Sequence, residues 1–320
     1  MPSLLTLRRF APPPRTTRFR LKTVDLDGPV AYADFGGEGP TLVLVHGLGG
    51  NHLNWLPAAP MLAKHARVLA VDLIGFGRTP AAGRGFGMDA QRQMLERFLE
   101  EIPGTPSVLV GNSMGGTLAL QVAASAPDLV ASAVLVSPAL PPPEGASFSF
   151  EIIRRSLVQA LPGIGELAMY WNGRRQGARG LFLDLLTLGT KDVSRVPPEV
   201  VEANVSIIAD RMQKSPLGHA QSYLQASRSL FFHLMQPGLV EGWARRVRSP
   251  VFLMHGADDQ LVPAACSKEL HAIRPDFDLQ ILDDVGHVPQ MEDAQRFTDS
   301  VVRWVRKQMP SVEEAPRSAA

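Results

Sequence analysis

The chain has 320 residues, 45% of them hydrophobic, enough to bury a sizeable core in one large domain or in a domain carrying an insertion. Its 32 basic and 31 acidic residues leave a formal charge of +1, so bulk electrostatics makes no case for nucleic acid or an anionic membrane as a partner. A lone cysteine, Cys266, excludes an intrachain disulfide, and no Cys/His cluster has structural-zinc spacing, so neither a metal nor a cofactor is expected.

The start, "MPSLLTLRRFAPPPRTTRFR", places its short apolar piece before its arginines, which is not the secretory order. Arginine-rich and free of acids before Asp25, it shares that much with organelle transit peptides, but it is poor in serine and ends in strand-like alternation. No apolar run approaches the roughly 20 residues that span a bilayer. The expected location is the cytoplasm, with no membrane span and with surface association left open.

Residues 18 to 35 read as two strands joined by "DLDG", a hairpin signal. Short β-branched runs follow at 41–47, 67–73, 107–112, 131–137, 251–256 and 278–282. Continuous apolar strands alternating with helical patterns, such as 88–102 and 292–309, predict an α/β fold with a mostly parallel sheet covered on both faces. The alternation breaks between "SPALPPPEG" and "RVRSPVFLMHG", where helices are expected over 150–161, 180–189, 199–212 and 219–235. The domain reading is therefore a first core part over 1–139, a helical cap over 140–245 and a second core part over 246–320, whose "APRSAA" end reads as frayed.

"VLVGNSMGGTLAL" sets a serine between glycines where an apolar strand meets a helix. Gly111 and Gly115 have no Cβ, so strand and helix can approach around a turn that projects the Ser113 hydroxyl. The free N–H groups and positive dipole end of that helix suit negative charge forming on a substrate carbonyl. Met114 N–H is the first expected oxyanion donor, and "HGLGG" at 46–50 supplies the second through Leu48 N–H. A serine hydroxyl needs a histidine base and a carboxylate to hold that base. "HGADDQLVP" offers Asp258 and Asp259, and "DVGHVPQME" offers His287.

These residues together resemble the α/β-hydrolase superfamily, over about residues 18 to 309 and least in the cap. The resemblance implies an eight-stranded α/β-hydrolase fold and a triad of Ser113, His287 and Asp259, because the superfamily's Gly-x-x-Asp pattern falls on Gly256 to Asp259. Members that carry the acid one strand earlier would need it in "LVSPAL", where Ser137 stands. In "VDLIGFGRT", Asp72 then shapes a turn. A serine elbow argues against the aspartate-dependent epoxide hydrolases and haloalkane dehalogenases.

The implied activity is hydrolysis of a carboxylic ester in a small-molecule substrate, of apolar acyl group judging by the cap. "GNSMGG" is also similar to the elbow of the meta-cleavage product hydrolases, which cleave carbon–carbon bonds; Asn112 belongs to that likeness. Against it, "HGLGGN" and "HVPQ" lack those enzymes' Ser-Gly-Pro-Gly loop and their tryptophan after the histidine. A non-catalytic ligand receptor on the same fold is the third reading.

Asn112, Trp55, His219 and Tyr223 are the candidate substrate contacts, with Trp55 and His219 also open to packing roles. Tyr170, Trp171, Phe182, Phe231 and Phe232 are further cap aromatics placed to meet an acyl chain or to pack the cap. Histidines 46 and 255 read as hydrogen-bonded scaffold, and 52, 65 and 271 as surface. Oligomeric state has no signature in the sequence.

Overall fold

The computed structural model describes residues 19–145, 159–236 and 238–308. The transit-like start, the frayed end and all of the helix expected over 150–161 except 159–161 lie outside these residues.

Eight strands form one sheet: β1 (Arg20–Asp25), β2 (Pro29–Gly36), β3 (Thr41–Val45), β4 (Arg67–Val71), β5 (Ser107–Asn112), β6 (Val130–Val136), β7 (Val251–Gly256) and β8 (Asp278–Leu282). Their order is β1-β2-β4-β3-β5-β6-β7-β8. The β1–β2 hairpin and the β2–β4 pair are antiparallel, and every other neighbour is parallel. This is the sheet that the recurring apolar runs predict.

Why the runs are continuous rather than alternating follows from the two cores. Successive side chains point to opposite faces, so Val43 and Val45 join one apolar cluster while Leu42 and Leu44 join the other. β5 and β7 are buried at every position. Such a strand needs helices on both sides. One face is covered by α2 (Met88–Glu101) and α3 (Met114–Ser125), the other by α1 (Ala59–Leu62) and α10 (Ala294–Gln308).

Between β6 and β7 the described residues contain helices and no strand: α4 (Ile164–Gly189), α5 (Pro198–Lys214), α6 (Pro216–Leu234) and α7 (Leu239–Arg246). After β7 come α8 (Ala265–Ile273) and the short α9 (Pro289–Glu292). The helix expected over 180–189 is the second half of α4, which breaks at Gly177 (φ 68°, ψ 178°). Its first half was not foreseen, because Gly165, Gly173 and Gly177 depress helix propensity in that stretch. Tertiary packing overrides the propensity: Gly173 is buried, and a Cβ on it would stand 3.0 Å from Met212 of α5. No helix among the described residues is long and apolar enough to cross a membrane.

Candidate active site

Ser113 follows β5 and precedes α3 with φ 57° and ψ −121°, a left-side backbone conformation that costs a non-glycine residue about 1–3 kcal/mol. The surroundings impose it. A Cβ on Gly111 would lie 2.1 Å from the Gly115 carbonyl oxygen, and one on Gly115 would lie 2.2 Å from that of Val45. Ser113 N–H donates to Val136 O at 3.0 Å, while Ser113 O accepts from Gly116, Thr117 and Ala139. The turn is thus held on both sides.

The 46–50 loop lies directly against this turn, since a Cβ on Gly47 would be 2.9 Å from Ser113 Cβ. Gly50 N–H closes the loop on Gly47 O at 3.0 Å. Buried His46 braces it as the scaffold reading expects: Nε2 accepts from Leu73 N–H at 3.1 Å, so Nδ1–H donates to Gly47 O at 2.7 Å. Burial, opposed in part by Asp72, lowers the His46 pKa and keeps the ring in this neutral form. Leu48 sits in this loop, and Met114 N–H belongs to the first turn of α3, whose donors have no partner within the helix.

His287 and Asp259 come together from the loops after β8 and β7. His287 Nδ1 is 2.7 Å from Asp259 Oδ2. Asp259 Oδ1 accepts from Leu261 and Val262 N–H, both at 2.9 Å. Burial alone would raise the carboxyl pKa, but the charge of His287 and the bonds from His255 and His287 hold it well below the usual range. Its neighbour Asp258 instead meets Lys191 at the surface at 3.0 Å. A carboxylate on Nδ1 fixes the tautomer that leaves Nε2 available as a base.

The main chain of His287 is fixed as tightly as its ring. Its N–H donates to Gly189 O, at the end of α4, at 2.7 Å, and its carbonyl accepts from Asn112 Nδ2 at 3.0 Å. The same Asn112 nitrogen donates to Val136 O at 3.1 Å. Asn112 is 2% exposed, so its amide nitrogen ties the elbow to the histidine loop rather than facing a ligand. Trp55 takes the packing role, being fully buried in the core with its ring 6.1 Å from that of Phe297.

His219 is half-buried in α6, where burial and the charge of Arg211 lower its pKa to about 4. Tyr223, one turn further on, reaches the 46–50 loop: a Cβ on Gly49 would lie 3.1 Å from Tyr223 Cε2 and 3.4 Å from Leu185 Cδ1. Phe182 is buried in the core, whereas Trp171, Phe231 and Phe232 face solvent. His52 is not a surface residue. It is 2% exposed, and its Nδ1 and backbone N–H both bind Asp72, which also accepts from Arg78 N–H. Asp72 therefore organises the turn after β4, and a Cβ on Gly77 would strike its carboxylate at 2.2 Å.

One residue escapes sequence reading, and another, read only as hydrogen-bonded scaffold, also touches the acid. Glu292 is buried and accepts from the N–H groups of Lys191, Asp192 and Gly286, fastening the histidine loop to the insertion. His255 is fully buried with Nε2 3.0 Å from Asp259 Oδ2 and 2.9 Å from Val262 O. Both neighbours are acceptors, so Nε2 carries the proton, and Ser267 Oγ–H donates to Nδ1 at 2.7 Å. The "HG" before "ADD" was the available signal, four residues ahead of the acid, but only the turn brings the ring back onto the carboxylate.

His255→Phe removes a donor to a charged group, worth about 1.5–3 kcal/mol. The expected result is a kcat lower by about tenfold to a hundredfold at unchanged KM, with partial recovery in His255→Gln, which keeps an N–H donor. Steady-state kinetics on an ester substrate checks this, and a wild-type kcat in His255→Phe would refute it.

Residues 40–294 match the family model described as alpha/beta hydrolase fold. Among curated relatives, the chain is 27% identical over 283 residues to the dihydrolipoyllysine-residue acetyltransferase component of the acetoin cleaving system of Pseudomonas putida, covering 86% of this chain and 66% of that protein, just under two thirds of its length. It is 23% identical over 275 residues to the 2-hydroxy-6-oxo-6-(2'-aminophenyl)hexa-2,4-dienoic acid hydrolase of Metapseudomonas resinovorans, with 85% and 86% of the two chains covered. Identity to the pimeloyl-[acyl-carrier protein] methyl ester esterase of Nitrosospira multiformis is 27% over 280 residues, covering 86% of this chain and 98% of the esterase. With the serine turn, the sheet order and a family match spanning most of its length, the chain belongs to the alpha/beta hydrolase fold family.

Proposed function

We propose that this protein hydrolyses a carboxylic ester of apolar acyl group through an acyl-enzyme, with Ser113, His287 and Asp259 as its triad. The observation that carries this reading is the 2.7 Å bond between His287 Nδ1 and Asp259 Oδ2. It lies in loops at the C-terminal ends of β7 and β8, the same edge of the parallel sheet as the strained Ser113 turn after β5.

In this mechanism His287 Nε2 takes the proton of Ser113 Oγ as the oxygen attacks the ester carbonyl. The tetrahedral oxyanion is stabilised by Met114 and Leu48 N–H. Collapse breaks the carbon–oxygen bond, and the imidazolium returns the proton to the departing alcohol. Water, deprotonated by the same nitrogen, then attacks the acyl-enzyme and releases the acid. Asp259 stabilises the imidazolium in both halves without itself taking the proton.

Residues 140–245 act as a cap in this reading, with Leu185 and Tyr223 against Gly49 as an apolar roof over the oxyanion loop. His219, its pKa lowered to about 4 by burial and the charge of Arg211, stands one turn before Tyr223 on α6 and in this reading adds a polar, uncharged group on that side of the roof. The esterase relative from Nitrosospira multiformis supports ester chemistry. The dienoic acid hydrolase relative and "GNSMGG" support carbon–carbon cleavage as the second reading. The internal bonds of Asn112 weaken that second reading, because its amide nitrogen is engaged within the fold.

The test is a chain-length series of p-nitrophenyl esters beside one dienoic diketone. Turnover that rises from acetyl to medium or long acyl groups is expected. Turnover of the diketone alone would replace the ester assignment with carbon–carbon cleavage.

A further inference from the structure

Of nine large hydrophobic side chains exposed among the described residues, all but Leu21 lie between Leu161 and Met235, in the helical insertion. Folded proteins scatter such residues singly, so their concentration in one region calls for an explanation.

The first half of α4 carries the centre of this surface. Ile164, Leu167 and Trp171 are 58%, 55% and 62% exposed at spacings of three and four residues, which places them on one stripe of the helix. Gly165 and Gly173 are buried on the other side. Continued by one turn, the exposed stripe reaches Arg174 and Arg175, both exposed and neither with an acidic partner among the described residues.

A second group adjoins the first. Arg228 of α6 donates to Gln159 O and Leu161 O and pairs with Glu166 at 2.7 Å, which fastens the start of α4 to the middle of α6. Phe231 and Phe232 follow Arg228 by three and four residues and thus lie on its side of α6, with Met235 one turn beyond. They are 46%, 64% and 64% exposed.

We infer that this face of the insertion docks on an anionic phospholipid surface, with Ile164, Leu167 and Trp171 entering the headgroup boundary and Arg174 and Arg175 meeting lipid phosphates. An apolar stripe containing tryptophan and ending in basic residues is the pattern of a helix lying in the interface plane. Charge selects lipid over a second copy of the chain. A second copy of this stripe offers the arginine pair no counter-charge, because the one acid between Ile164 and Arg175 is Glu166, already engaged by Arg228. The near-neutral total charge is no obstacle, because surface attraction acts within a Debye length of about 10 Å. The inference deepens the ester reading by assigning a lipid-borne ester as substrate class.

Vesicle co-sedimentation tests it without turnover. The full chain is expected to sediment with vesicles containing phosphatidylglycerol and much less with phosphatidylcholine alone. Arg174→Gln with Arg175→Gln should weaken binding about thirtyfold, at roughly fivefold for each charge near an anionic surface. Ile164→Ser with Trp171→Ser should weaken binding to both vesicle types by about tenfold or more. Ser113→Ala should bind as wild type, so loss of the catalytic reading and loss of this one are told apart. Unchanged hydrolysis of a short soluble ester by the two double variants would show that they fold. Equal sedimentation of wild type and variants, or no sedimentation with either vesicle, would overturn the proposal. So would a dimer dispersed by Trp171→Ser, which would give the face to a second copy.

Discussion

Ser113→Ala is expected to lower ester turnover by about 10⁴- to 10⁶-fold, the range seen when a triad nucleophile is lost while binding and oxyanion donors stay in place. The variant should fold. Alanine brings no group that clashes in the elbow, and the turn is held by a backbone bond to Val136 O and by bonds from Gly116, Thr117 and Ala139 N–H, none of which involves the hydroxyl. A fluorophosphonate probe provides the second readout, labelling the wild type at Ser113 and leaving the variant unlabelled. Full activity in a folded, unlabelled variant would remove Ser113 from the mechanism. Absence of labelling in the wild type would favour the receptor reading instead.

Asp259→Asn is the second large effect, expected to lower kcat by about 10⁴-fold because an amide opposite Nδ1 favours the wrong imidazole tautomer. Asp258→Asn is its control. That residue meets Lys191 in an exposed pair, so kcat should stay within about twofold of wild type, as exposed pairs contribute little. A large loss in Asp258→Asn with none in Asp259→Asn would reverse the assignment of the acid.

The same substitution has a pH signature. Asp259 has a folded pKa below its unfolded value, so the stability it contributes is fully present above the unfolded carboxyl pKa of about 3.9 and is lost as pH falls through the lower folded value. The wild type should therefore be more stable than Asp259→Asn near neutrality. That gap should narrow below about pH 4, where the protonated acid comes to match the amide. Urea unfolding at neutral and acid pH measures it, and a gap that widened in acid would contradict the arrangement.

Much of the sheet was legible because a doubly covered strand leaves a local record. "SVLVGN" and "VFLMHG" are continuous apolar runs of the right length, and they coincide with β5 and β7. The elbow was legible for a related reason, since steric crowding at Gly111 and Gly115 admits one residue type. The first half of α4 was hidden by glycines whose use is close packing against α5, a property of two segments and not of one.

The amino-acid sequence by itself determined the alternation of strand and helix, the glycine-flanked serine, and the order in which serine, acid and histidine follow along the chain. Those features depend on neighbours in sequence, through side-chain alternation, steric exclusion and turn chemistry. Only the tertiary structure decided that His255 shares the Asp259 oxygen that faces His287, that Asp258 turns out to Lys191, and that Asn112 and Trp55 serve the frame. It alone turned Trp171 and Phe232 outward while folding Tyr223 over the 46–50 loop. Each of these depends on which face of one element meets another, and that is fixed by packing between segments far apart in the chain.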